Sequence, residues 1–179
     1  MGGQTGAGRA YNPVMAAEII SIVDCSDGVV GAAPRARLRQ QHSLIYRVNY
    51  ILLFNRAGHI LVQRRTAGKD IYPGLLDLAA GGVVRAGESY EVSAARELEE
   101  ELGVSPPLTA RFDLWFEDPA QTPAKRNWGR VFSAVHDGPF ALQESEVAAA
   151  EFMAVEDALA LPPAQVTPDT RQALVAYLM

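Results

Sequence analysis

The 179-residue chain reads as α+β, a mixed sheet with few helices packed on it. Three observations carry that reading. Short apolar runs bounded by turn residues recur along the sequence, as strands do. A stretch ending "SAARELEEELG" has helical spacing, and a second helical stretch closes the chain. No apolar run approaches the ~18–20 residues needed to cross a bilayer.

The length suits one domain with a sizeable core. Residues 15–179 are expected to form it, after a glycine-rich flexible extension over 1–14, with Met15 as a plausible alternative start. Hydrophobic residues make up 49% and charged residues 21%, which excludes wholesale disorder. The net charge of −5 excludes a broad basic surface for a nucleic acid polymer, so any phosphate recognition must be local. Cys25 is the single cysteine, which excludes an internal disulfide. "MGGQTGAGRAYNP" lacks a signal peptide's apolar segment, and Gly6 stands where myristoylation needs Ser or Thr. The expectation is a soluble, cytoplasmic protein with no membrane partner.

"EIISIVD", "SDG" and "VVG" predict a hairpin turning at Asp27-Gly28. "PRARLRQQ" reads as a short helix or a basic loop. "YRVNYILLF" and "HILVQRR" flank "NRAG" as a second hairpin, and Pro73-Gly74 marks the loop before "LLDLAAGG". The acidic helix should stop at Gly103, a residue suited to the left-handed cap. "ARFDLWFED" and "WGRVFSAVH" predict a third strand pair, joined by a polar loop holding Lys125 and Arg126. "EFMAV" reads as a strand and "EDALAL" as a helix. Thr167-Pro168 opens a terminal helix as N-cap and first position, with Leu174, Val175 and Leu178 on one side.

The acidic helix raises an electrostatic question. At 100° per residue, Glu97, Glu100 and Glu101 share about 100° of arc, while Glu99 faces the opposite way. Ala94, Ala95, Leu98 and Leu102 occupy the adjoining arc and should pack on the sheet. Like charges at this spacing repel by roughly 0.2–0.5 kcal/mol per pair, and carboxylates near the carbonyl end oppose the macrodipole. A solvated charged face is the plain alternative. Against it, only Arg96 accompanies the acids, and a glycine-rich turn leads straight into the helix. Oxygen-only clusters suit hard cations such as Mg²⁺ or Mn²⁺, which orient a diphosphate and lower the pKa of attacking water. The turn "GVVRAGES" has the glycine spacing of a phosphate loop, but Glu88 stands at the lysine position, so that motif is rejected.

The full pattern resembles the Nudix box. Gly82, Glu88, Arg96, Glu97, Leu98, Glu100, Glu101, Gly103 and Val104 stand at every required spacing. At residue frequencies of about 5–7%, a chance match is of order 10⁻⁹, so the signal is specific for the superfamily and silent on substrate. The resemblance implies a Nudix-type mixed sheet packed between helices, an α/β/α sandwich. It implies Glu97, Glu100 and Glu101 as ligands of Mg²⁺, with Mn²⁺ as substitute and the Gly82 carbonyl as a further ligand. Glu88 and Arg96 would be structural members of the catalytic set, with Arg96 orienting the catalytic carboxylates.

From about residue 18 to 160 the sequence resembles the subgroup related to type I isopentenyl-diphosphate isomerase. The positions matching that subgroup's diphosphate grip are Arg35, Arg65 and Lys69, each also readable as an ordinary surface cation. Isomerisation is not expected. The isomerases' catalytic Cys corresponds to Gly81, their two His ligands to Val83 and Tyr46, and their later acidic residue to the stretch Lys125–Asn127. The expected function is therefore hydrolysis of the diphosphate linkage in a nucleoside di- or triphosphate. Prenyl diphosphates, nucleotide sugars and a non-catalytic nucleotide-binding regulator are the alternatives. The resemblance implies as general base Glu97 or a carboxylate from a separate loop, for which "LQESEV" offers Glu144 and Glu146, both also readable as surface acids. Trp115, Phe116, Trp128 and Tyr72 are candidates to stack on a base or to pack in the core. His42, His59 and His136 show no metal spacing. Relatives of this family are often dimeric, so a homodimer lies within the expectation.

Overall fold

The computed structural model describes residues 18–39, 41, 43–120 and 124–179. The predicted extension, Met15 and His42 lie outside those residues. Strands β1 (Ile19–Val23) and β2 (Val29–Pro34) form the first predicted hairpin. Its turn is fastened by the Asp24 carboxylate, which accepts from the Ser26 and Gly28 amides at 2.8 Å. "PRARLRQQ" resolves into a 3₁₀ turn at Arg35–Arg39.

Strand β3 (Ile45–Phe54) is the axis of an eight-stranded sheet. It turns through Asn55–Gly58 into β4 (Ile60–Arg65), but only Phe54 and Ile60 pair across that hairpin. The two strands then splay apart, which the sequence did not suggest. Along one edge, β3 runs parallel to β7 (Lys125–Val135), from Ile45–Arg126 to Phe54–Val135. Along the other it meets β1 at Tyr46, then the backbone of Val83 and Ala80, then β4. Asn49 N donates to the Gly82 carbonyl and Ile51 N to the Ala80 carbonyl, each at 2.8 Å. The fork between β1 and β4 is thus filled by the segment that leads into the acidic helix. Strand β5 (Leu76–Asp77) and β8 (Val147–Met153) pair with β4, and β6 (Thr109–Asp118) pairs with β7. Lys125 and Arg126 therefore belong to a strand rather than to the predicted loop.

Alternate residues of β3 face opposite ways and are buried on both sides, as the period of two requires. Tyr46, Val48, Tyr50 and Leu52 join one core with Leu174 of the C-terminal helix; Ile51 and Leu53 join the other with Ala94, Leu98 and Leu102 of the acidic helix. This is the predicted sandwich. Helix α1 (Tyr90–Leu102) starts at Ser89, whose hydroxyl accepts from Val92 N, and stops at Gly103 with φ 68. Ala95 is exposed, contrary to the predicted packing arc. Helix α2 (Val155–Ala160) and α3 (Pro168–Leu178) cover the first core. The inward face of α3 carries Thr170, Ala173 and Leu174; Val175 and Leu178 are exposed, so the predicted face is rotated.

Thr167 sits at the N-cap position, yet its hydroxyl makes no cap bond and donates instead to Asp77 Oδ1 at 2.6 Å. That bond ties α3 to β5 at a site 1% exposed. Thr167→Val keeps the shape and leaves a buried carboxylate one donor short. We expect a loss of about 1–3 kcal/mol, read from the urea midpoint; an unchanged midpoint would show the bond to be dispensable.

Candidate active site

The turn before α1 lies directly under the acidic face because it is made of glycine. Gly81 has φ +130, and a β-carbon there would lie 2.3 Å from the Asn49 carbonyl oxygen. A β-carbon on Gly82 would lie 2.6 Å from Glu97 Oε2. The backbone can therefore approach both β3 and a carboxylate more closely than any side chain would permit. Gly81 N donates to Glu101 Oε2 at 3.3 Å.

Arg96 organises the face. Its Nε and Nη2 donate to the two oxygens of Glu88 at 2.9 Å each, and its Nη1 to Glu97 Oε1 at 2.6 Å and Glu100 Oε2 at 3.1 Å. The Arg96 hydrogen bonds hold Glu88 below the ordinary carboxylate range. Burial pushes Glu97 up, against the opposing pull of Arg96. Glu100 is more exposed and also meets Arg85 at 3.4 Å. Glu101 is 6% exposed, and burial pushes it up to about 7 despite the charge of Lys69.

A cavity of about 520 Å³ opens beside this face. Glu97, Glu101, Gly82, Arg35, Arg65 and Lys69 all line it, so the structure gathers carboxylates and cations that the sequence holds far apart. Glu100 is not on the cavity wall. Arg35 Nη1 bonds Glu18 at 2.9 Å. Arg65 donates to Asp77 Oδ2 at 2.7 Å and to the carbonyls of Tyr72 and Ile71 at 3.1 and 2.7 Å, so it pins the loop that carries Lys69. Lys69 pairs with Glu146, and burial lowers its pKa. Of the two acids in "LQESEV", the cavity takes in Glu146 and not Glu144.

Among the described residues no group of three His, Cys, Asp or Glu side chains is arranged around a common ion position. The carboxylates face Arg96, Arg85 and Lys69 instead. The donor set nonetheless has the chemistry of a site for a hard divalent cation: it is all oxygen and lies on one helix face. Of the aromatic candidates only Tyr72 lines the cavity. Trp115 and Trp128 pack edge to face on each other, centroids 5.4 Å apart, and Phe116 is 3% exposed. His59 is exposed, and His136 Nδ1 accepts from Gly138 N. Sequence reasoning missed Asp77, Asp169 and the inward-facing Lys125, all on the cavity wall. Asp169 read only as the start of a helix, and Lys125 as loop.

The raised pKa of Glu101 has a defined consequence for stability. The folded protein holds a proton from about 4.5, the ordinary value, up to about 7, where the unfolded chain has released it. This contribution is full below the unfolded pKa and is lost as pH rises through the folded one. In EDTA, the melting temperature of the wild type is expected to fall across that window more steeply than that of Glu101→Gln. Parallel curves between pH 5 and 8 would refute it.

Comparison with known proteins places the chain. The family described as "NUDIX domain" matches residues 45–176. The Nudix hydrolase PA4841 of Pseudomonas aeruginosa is 48% identical over 173 residues, covering 94% of this chain and 98% of that one. The Nudix hydrolase YfcD of Escherichia coli is 42% identical over 162 residues, 90% of this chain and 87% of the relative. The crystal structure of DR0079 from Deinococcus radiodurans superposes with a TM-score of 0.76 at 26% identity, covering 89% of this chain and 98% of that one. With its box residues converging beside one cavity, the chain belongs to the Nudix hydrolase family.

Proposed function

We propose that the protein is a Mg²⁺-dependent hydrolase of the diphosphate linkage in nucleoside di- or triphosphates, with Mn²⁺ as a substitute. The products are the monophosphate and phosphate or pyrophosphate. One observation carries the reading: the carboxylates Glu97 and Glu101 and the cations Arg35, Arg65 and Lys69 line the same cavity. Glu97, Glu100, Glu101 and the Gly82 carbonyl would hold the metal, which when bound neutralises diphosphate charge and lowers the pKa of a coordinated water.

The chain's own residues supply the rest. Arg35, Arg65 and Lys69 offset charge on the phosphate oxygens as the water oxygen joins phosphorus and the bridging P–O bond breaks. A carboxylate accepts the water's proton; Glu97 and Glu146 are the two candidates on the cavity wall. Arg96 positions Glu97 and Glu100 and is itself held by Glu88. Gly81 supports hydrolysis over isomerisation within the isomerase-like subgroup, since its φ and the nearby Asn49 carbonyl leave no room for a thiol side chain. Leu38, Leu44 and Val48 on the wall favour a second reading, a prenyl diphosphate as substrate.

A panel of nucleotides, nucleotide sugars and prenyl diphosphates, scored by product with Mg²⁺ or Mn²⁺, tests the proposal. EDTA should abolish turnover. Glu100→Gln and Glu101→Gln should each lower kcat about 10²-fold or more with the circular dichroism spectrum kept; full rate in either variant would remove that residue from the ligand set. Arg96→Lys should cost about 10–100-fold, because an ammonium cannot bridge three carboxylates in one plane. Wild-type activity in Arg96→Lys would reduce the arginine to a surface charge.

A further inference from the structure

Away from the acidic face, the cavity wall carries a second constellation. Lys125, at the start of β7, places its ammonium 2.9 Å from Asp169 Oδ2 on α3, and the two side chains are 14% and 12% exposed. The same ammonium lies 4.8 Å from the centroid of the Tyr72 ring and 5.5 Å from that of Phe116. Tyr72 has φ 53, a left-handed backbone that an aromatic residue seldom enters. It is held there by Arg65, which donates to its carbonyl, and by its own hydroxyl, which donates to Asp118 Oδ2 at 2.7 Å.

A purely structural role accounts poorly for this arrangement. A largely buried ion pair adds little stability over a well-packed apolar pair, and strained backbone collects at sites that handle ligands. Lys125, Asp169 and Tyr72 all face the cavity that Glu97 and Glu101 also line. Asp169 offers an acceptor, since Oδ1 takes only the Thr170 amide among the described residues. Lys125 offers donors, and Tyr72 a ring held in place.

Resting on the hydrolase reading above, we propose that Tyr72, Lys125 and Asp169 form the subsite for the nucleobase of the substrate. A base presents an N–H beside an acceptor and a flat face, matching the carboxylate, the ammonium and the phenol ring together. A prenyl chain would strip water from the ion pair and return no hydrogen bond. The subsite thus selects a nucleoside diphosphate over the same diphosphate on an isoprenoid.

The test uses Tyr72→Leu and the double variant Lys125→Met/Asp169→Asn, which removes both charges so that neither stays buried alone. The ratio of kcat/KM for the four ribonucleoside diphosphates over geranyl diphosphate should fall about tenfold or more in each, mainly through KM. Calorimetry with the nucleoside monophosphates should show a matching loss of affinity, and it reads the subsite even if no diphosphate is cleaved. Nucleotide turnover with an unaltered ratio, or a wild type preferring geranyl diphosphate, would overturn the subsite and leave hydrolysis standing. Absence of turnover on every diphosphate would overturn the hydrolase reading; the subsite would then stand or fall on whether the variants weaken monophosphate binding.

Discussion

Arg96 holds together a surface that would otherwise push itself apart. One guanidinium bonds Glu88 through two parallel contacts and reaches Glu97 and Glu100 with its remaining arm. The planar fork matters, because a point charge cannot satisfy three carboxylates in fixed directions. With Glu88 fixed by the Arg85 amide at 3.2 Å, the whole cluster is referenced to the turn below it. Among the described residues Glu101 receives no such partner and is left to Gly81 N and the charge of Lys69. Burial outweighs the charge of Lys69 and raises its pKa, so this is where the anionic form is least favoured without an added cation.

The sheet makes that placement possible by failing to close. Had β3 and β4 paired along their length, the segment from Ala79 to Val84 would have no edge to join. Because they share only the Phe54–Ile60 pair, Ala80 and Val83 pair with β3 in the gap. The two glycines between them then sit beneath α1. The same splaying leaves the cavity between the loop after β4 and the strand β3, so one topological feature yields both the glycine turn beneath the acidic face and the cavity beside it.

The part of the site legible in the sequence is the part encoded locally. The carboxylate face, the Gly103 stop and the glycine turn are set by spacing within some twenty consecutive residues, where helical periodicity and backbone permissiveness act directly. Lys125 and Asp169 were unreadable for the opposite reason. Lys125 reaches the cavity only because β7 lies parallel to β3 after a long crossover, and Asp169 only because α3 packs back on β5 through Thr167 and Asp77. The apparent hairpin after Phe54 misled for a related reason: turn chemistry at Asn55–Gly58 specifies the reversal of the chain and not how far the strands remain paired. Ala95 and Val175 show that a helix face read from periodicity alone can be rotated by one residue when the sheet it meets is unknown.

Charge along the cavity follows from these two kinds of encoding. At the acidic face, Glu97 and Glu101 have only partial compensation; next come Lys69 with Glu146 and Arg65 with Asp77, each an acid matched to a base; beyond them lies Lys125 with Asp169. The cavity wall carries Arg35, Arg65, Lys69, Lys125 and Arg126 among six carboxylates, in a chain of net charge −5. Each of these cations already has an internal anion, so the cavity wall remains satisfied without ligand. On the proposed function, a phosphate would have to compete with Glu146 for Lys69, and a divalent ion with Arg96 for Glu97. Those competitions would weaken binding of either one alone and favour the two together, since metal and diphosphate would neutralise each other while displacing the internal partners.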